Sequence, residues 1–127
     1  MESQIPESLD SNRPIDAASL LERCVGDASF VQMVLEKFRS SSDSMVKSIS
    51  QAIDAKDADQ LGRDAHMLKG AAANMSAEPV RSIARRLEEI GQGGDLALAE
   101  QTLEALKQEI ARCIAYIPAV NAQLQAA

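Results

Sequence analysis

Apolar residues recur every three or four positions along most of this chain, and that spacing predicts amphipathic α-helices. The pattern is clearest in the centre, where one helix is expected to run from the connector at residues 54–58 to about Met75. Asp57 or Asp59 is expected to cap its first turn. The apolar stripe of this central helix consists of Leu61, Ala65, Leu68, Ala72 and Met75.

Two helices are predicted before the central one. A short helix that holds Leu20, Leu21 and Val25 is expected to begin after Asp16 and to end at Gly26. A long helix should follow Asp27 and continue to about Ala55. The serine-rich run at residues 40–44 could kink or break that long helix. Its apolar positions are Phe30, Val31, Val34, Leu35, Phe38, Met45, Val46, Ile49 and Ile53.

Two further helices are predicted after the central one. Ser76 is expected to end the central helix and cap the next, with Pro79 in the first turn. The glycine-rich residues 91–95 indicate a loop, after which Asp95 caps the last helix. Pro118 is expected to stop that helix. The two apolar stripes are Val80, Ile83, Ala84, Leu87 and Ile90, and then Leu103, Leu106, Ile110, Cys113, Ile114 and Ile117.

These elements predict an all-α protein, an antiparallel up-down-up-down four-helix bundle with a short extra N-terminal helix. The bundle is expected over residues 15–120, between a flexible N-terminal tail at 1–14 and a frayed C-terminal tail at 121–127. Hydrophobic residues make up 46% of the chain and aromatic residues 2%. The core should therefore be built from aliphatic side chains.

Composition and charge narrow the classes of function. A net charge of −6 argues against a nucleic-acid surface, and no apolar run approaches the ~20 residues that span a bilayer. The polar, acidic start is unlike a signal peptide, so we expect a cytoplasmic protein. Cys24 and Cys113 have no metal-ligand spacing and are expected to be reduced and near the core, although a disulfide would be possible if two helix ends met. The glycine-rich loop lacks the Gly-Lys-Ser/Thr ending of a phosphate-binding loop.

His66 is the only histidine of the chain, and it lies about 140° from the centre of the apolar stripe of its helix. It should therefore face solvent, with Gly62 one turn before it and Gly70 one turn after it. Each glycine costs a helix interior about 1 kcal/mol relative to alanine, so the pair favours close approach by a partner over stability. Lys69 can hold its ammonium near the imidazole. The alternative is an ordinary surface histidine with two incidental glycines.

The segment from Ala65 to Asn74 resembles the signature of histidine-containing phosphotransfer domains, which is Ala-His-x-Leu-Lys-Gly followed by small residues. The segments at residues 26–38 and 84–88 resemble the helices that precede and follow the histidine in that family. Together the resemblance covers about residues 15–117. The chain departs from the family pattern at Ser76, where the family usually has glycine.

This resemblance implies a phosphoryl carrier of a two-component phosphorelay without a kinase site of its own. His66 would accept a phosphoryl group from the aspartate of a response-regulator receiver domain and donate it back. Lys69 would offset the phosphoryl charge, and Gly70 would let the partner approach. The expected partners are a receiver domain, a hybrid histidine kinase, or both. We expect a monomer with no cofactor of its own and Mg²⁺ on the receiver.

Two interpretations of another class remain at this point. The chain could be a non-catalytic helical interaction module in which His66 is incidental. A metal or haem bundle is disfavoured because one histidine, with no Glu-x-x-His pair, supplies no ligand set. Met33 could belong to a docking surface beside His66 or be singly exposed. Several charged residues could tune docking or simply form a solvated face: Arg63, Asp64, Arg81, Arg85 and Arg86.

Overall fold

Five α-helices and no strands make up the part of the chain that the structure, a computed structural model, describes, which is residues 13–126. The predicted all-α class is confirmed. The helices are α1 (Ala17–Arg23), α2 (Ala28–Asp54), α3 (Ala58–Asn74), α4 (Glu78–Gly93) and α5 (Ala99–Ala126).

Aspartates begin the first three helices, as predicted. The side chains of Asp16, Asp27 and Asp57 each accept a hydrogen bond from a backbone N–H of the following turn. Helix α2 is unbroken through the serine-rich run, whose Ser40 and Ser41 hydroxyls donate to the carbonyl of Lys37. The serines thus stay helical by bonding to the preceding turn. Helix α1 ends earlier than expected, and Val25 lies exposed in the turn after it with φ +57°.

Three further predicted boundaries are wrong. Helix α4 continues to Gly93, so the predicted loop starts only at Gly94, whose φ of +83° ends the helix. Asp95 caps a turn by accepting from the Ala97 N–H, and α5 begins after that turn. Helix α5 also passes through Pro118. Proline removes one helical hydrogen bond there, but buried Val120 and half-buried Leu124 hold the last turns against the core.

Contacts between the helices close a ring. Helix α3 packs most extensively on α4, α4 packs on α5, and α2 packs on both α3 and α5. Helix α1 lies against α2 and α5. Among the buried hydrophobic residues Phe38 is the one aromatic side chain, and the others are aliphatic side chains, Met75 and two cysteines, as the composition predicts. The alternation of direction around the whole ring stays a prediction, as do the domain boundaries at residues 14 and 120.

The structure describes the C-terminal end of the chain more fully than the N-terminal end. Residues 1–12 of the predicted N-terminal tail lie outside the described residues, and Pro14 is buried. Residues 121–126 of the predicted C-terminal tail belong to α5.

Cys24 and Cys113 are buried free thiols, and burial raises the pKa of Cys113 to about 12. Between residues 13 and 126 no helix is both long and apolar enough to cross a membrane.

Candidate functional site

The site is built on the solvent face of α3. Leu61, Ala65, Leu68 and Ala72 point into the core, which turns His66 outward as predicted. The His66 side chain is 66% exposed. The other exposed residues of this face are Asp59, Arg63, Met67, Gly70 and Asn74.

One carboxylate joins the two predicted polar residues of the site. Glu88 of α4 approaches His66 with 2.7 Å between Oε2 and Nδ1. Its other oxygen, Oε1, lies 2.6 Å from Nζ of Lys69. We call these three residues the His66–Glu88–Lys69 cluster. Glu88 is only 9% exposed, so the imidazole is open to solvent while the group that holds it is covered.

The charge of Glu88 determines the tautomer of His66. The hydrogen bond from Lys69 lowers the pKa of Glu88, burial opposes that shift, and the hydrogen bond from His66 lowers the pKa further. The carboxyl group is therefore ionised at neutral pH and can only accept hydrogen bonds. Nδ1 of His66 must then carry the proton and donate it to Glu88. In the neutral ring this leaves the lone pair on Nε2, which is the nucleophilic nitrogen.

Sequence reasoning missed Glu88. A signal was present, because Glu88 lies one turn after Ala84 and therefore on the buried stripe of α4. A carboxylate at such a position needs a partner, since buried charges are rarely left unpaired. The partners, His66 and Lys69, lie on α3, 22 and 19 residues earlier, and no local spacing connects them to Glu88.

Two glycines set the distance between α3 and α4. A Cβ atom on Gly91 would lie 2.7 Å from the backbone nitrogen of Gly62 and 2.8 Å from its Cα. The two backbones approach closely at this contact. His66 lies one turn further along α3, and Glu88 lies one turn back along α4. The two contacts show that α3 and α4 run in opposite directions. The open approach to His66 predicted at Gly62 stays a prediction. Gly62 contacts Gly91 of α4, but a Cβ atom on Gly62 would come no nearer than 4.0 Å to Gly91, and Gly62 lines the same hollow as His66.

Gly70 differs from the other helical glycines of the site. A Cβ atom there would meet nothing within 4 Å, and the residue is exposed. It lies one turn after His66 on the open face of α3. The geometry therefore leaves room over the C-terminal side of the histidine.

Two hollows flank the exposed face of α3. One of about 530 Å³ lies between α3 and α4. The other, of about 810 Å³, lies between α2 and α3 and is lined largely by apolar residues that include Phe30, Phe38 and Met75. Met67, 67% exposed, borders both. The first hollow is lined by Ala58, Asp59, Gly62, Arg63, His66, Met67, Glu88, Gly91 and Gln92.

Three of the other charged candidates are engaged elsewhere. Asp64 accepts a hydrogen bond from Ser48, which ties α3 to α2, and another from Gln60 of its own helix. Arg81 pairs with Glu78, and Arg85 pairs with Glu89. Among the described residues, no group of three or more His, Cys, Asp or Glu side chains is placed to hold a metal ion.

Comparison with known proteins agrees with this geometry. The sequence profile of the Hpt domain family matches residues 33–116. The fold is similar to the crystal structure of histidine-containing phosphotransfer protein B (HptB) from Pseudomonas aeruginosa PAO1, with a TM-score of 0.75 and 28% identity over 92% of this chain and 99% of that chain. None of the curated protein sequences compared with the chain matches it. The chain belongs to the Hpt domain family and is a histidine phosphotransfer protein of a two-component phosphorelay.

Proposed function

We propose that His66 is the residue that carries the phosphoryl group. The observation that supports this most directly is the contrast within the cluster: the imidazole is exposed, while Nδ1 is held by covered Glu88 at 2.7 Å. A partner can therefore reach Nε2, the nitrogen with the free lone pair. The ring is fixed in direction, which lowers the entropy cost of meeting a phosphorus atom in line.

The same bond changes describe phosphoryl transfer to His66 and from it. The Nε2 lone pair forms the N–P bond as the O–P bond of an aspartyl phosphate breaks, and that bond's electron pair stays on the departing carboxylate. The imidazole ring keeps its proton on Nδ1 and becomes positively charged. Glu88 lies against that proton and stabilises the charge. Donation to an aspartate is the reverse reaction, so the same contact serves both.

Lys69 acts on the phosphoryl group through Glu88 in this proposal. Its ammonium is 2.6 Å from the carboxylate, where it keeps Glu88 ionised and oriented. Gly70 contributes space, since nothing lies within 4 Å of its missing side chain. A receiver surface can then approach the open side of His66 without a clash.

The partner supplies the rest of the chemistry. We propose a response-regulator receiver domain, a hybrid histidine kinase, or both as partners, with Mg²⁺ held by the receiver. The apolar hollow beside Met67 and the exposed side chains of Phe30 and Met33 offer such a partner a contact surface. We further propose a monomeric, cytoplasmic carrier whose four long helices alternate in direction. No observation favours the interaction-module alternative.

The test is transfer from a panel of phosphorylated receiver domains to the intact protein and to His66→Gln. Acid-labile, base-stable phosphate is expected on the intact protein and not on the variant. A small phosphodonor such as phosphoramidate should also label the intact protein. Equal labelling of both proteins would refute the assignment of His66, and failure with every receiver and with phosphoramidate would refute the carrier function.

A further inference from the structure

The charges around His66 are nearly balanced before any phosphoryl group arrives. With a neutral imidazole, the carboxylate of Glu88 and the ammonium of Lys69 cancel at a separation of 2.6 Å. A phosphoryl group brings between one and two negative charges at neutral pH. The ammonium of Lys69 is already held by Glu88 at 2.6 Å. A cation on the solvent side that pairs with no carboxylate is therefore better placed to bind the added charge.

We infer that Arg63 binds the phosphoryl oxygens on His66 from the solvent side, an inference that rests on the proposed role of His66 as the carrier. Arg63 and His66 are three residues apart on the exposed face of α3, where side chains are neighbours. Both line the hollow of about 530 Å³ between α3 and α4. Among the described residues that line this hollow, Arg63 is the single lysine or arginine.

The direction of helical side chains also supports an interaction between Arg63 and a phosphoryl group on His66. Helical side chains lean toward the N-terminus, so a residue covers the turn before its own Cα. The imidazole of His66 therefore leans toward the turn that carries Gly62 and Arg63. Arg63 itself leans toward Gln60, so its guanidinium reaches the phosphoryl group by a change of rotamer. Lys69 lies on the other side, one turn later.

The guanidinium of Arg63 is available for this role. It donates from Nη2 to the neutral amide oxygen of Gln60 at 2.7 Å, and none of the ion pairs found between residues 13 and 126 includes it. An amide contact is readily exchanged for a charged one, because charge-assisted hydrogen bonds are roughly twice as strong. Asp59 and Glu88 are the acids of this hollow. Glu88 is held by His66 and Lys69. Asp59, one turn before Arg63, forms none of these ion pairs with it. The planar fork of arginine also matches two phosphoryl oxygens at once.

The test is a ³¹P NMR titration of the protein after phosphorylation by phosphoramidate. A cation bound to the phosphoryl group favours the dianion, so Arg63→Gln should raise the pKa of the phosphoryl group by roughly 0.5 or more, the effect of one solvent-exposed cation. Arg63→Lys should restore part of the shift. Arg85→Gln, which removes an exposed arginine paired with Glu89, is the matched control and should leave the titration unchanged.

The other outcomes separate a failure of this inference from a failure of the proposed function. A shift with Lys69→Gln but none with Arg63→Gln would mean that Lys69 leaves Glu88 to bind the phosphoryl group, and the inference would be wrong. Identical titrations for wild type and Arg63→Gln would refute it as well. Absence of phosphohistidine on the wild-type protein would instead refute the proposed function, so the two failures are distinguishable. Transfer to a receiver should slow several-fold in Arg63→Gln, with circular dichroism unchanged.

Discussion

Glu88 accepts hydrogen bonds from His66 and Lys69 through its two carboxylate oxygens, at 2.7 and 2.6 Å. The three residues come from two helices whose crossing is fixed by the contact of Gly62 with Gly91. The packing of α3 on α4 thus determines which nitrogen of the imidazole faces solvent. Changes to Glu88 should therefore affect reactivity before they affect the fold.

Replacement of Glu88 by glutamine should slow phosphotransfer by about tenfold, the equivalent of one hydrogen bond to a charged group. The neutral amide no longer offsets the positive ring, and it can donate to Nδ1, which would place the ring proton on Nε2. Imidazole ¹⁵N shifts should then show a larger fraction of the Nε2–H tautomer. Unchanged transfer and an unchanged tautomer would mean that Glu88 is only a structural partner of Lys69.

The same carboxylate should make stability depend on pH. Because the folded state lowers the pKa of Glu88, its stabilising contribution is present above the ordinary glutamate value of about 4.3 and is lost as pH falls through the lowered pKa. The difference in unfolding free energy between wild type and Glu88→Gln should therefore shrink from pH 7 to pH 3. Urea titrations of both proteins at several pH values measure it. A constant difference would contradict the account.

The glycines of the site should respond in opposite ways to alanine. Gly91→Ala forces a Cβ to 2.7 Å from the backbone of Gly62, so we expect a loss of roughly 1–3 kcal/mol from overpacking. Gly70→Ala meets open space and should gain up to about 1 kcal/mol from helix propensity. Gly70→Ala should nevertheless slow transfer from a receiver while leaving phosphorylation by phosphoramidate unchanged. Thermal unfolding and the two transfer assays test both variants.

Ser76 stands where the family usually has glycine, and its backbone has φ +55°. Its hydroxyl bonds to Ser19 Oγ at 2.9 Å and accepts from Arg23 Nε at 3.2 Å, which ties α1 to the turn between α3 and α4. Ser76→Gly should relieve about 1 kcal/mol of backbone strain but lose these bonds, so its net effect should be small. Ser76→Ala loses these hydrogen bonds and keeps the strained backbone conformation, so it should be the less stable variant in thermal unfolding. The reverse order would show that strain is not relieved at this position.

The structural features predicted well from the sequence are those set by local spacing. The stripe from Leu61 to Ala72 fixes the outward direction of His66 by helical geometry alone, and Asp16, Asp27 and Asp57 begin helices because their side chains bond the next turn. Ser76 does end α3, but its hydroxyl bonds to α1 instead of capping α4, where the N-cap is Ala77 without a side-chain bond.

The features that the sequence does not predict depend on contacts between helices. Glu88 acquires its role from two residues of α3. Local spacing indicates an open approach at Gly62 and a loop at Gly91, and it does not show that the two glycines contact each other. Pro118 stops an isolated helix, and only the packing of Val120 on the core explains why α5 continues.

The most direct measurement is the position of the N–P bond in protein labelled with ¹⁵N at histidine and phosphorylated by a receiver domain. Long-range ¹H–¹⁵N and ³¹P spectra distinguish the two ring nitrogens. The account predicts phosphate on Nε2 of His66, with the proton retained on Nδ1 beside Glu88. Phosphate on Nδ1, or on any residue other than His66, would contradict it.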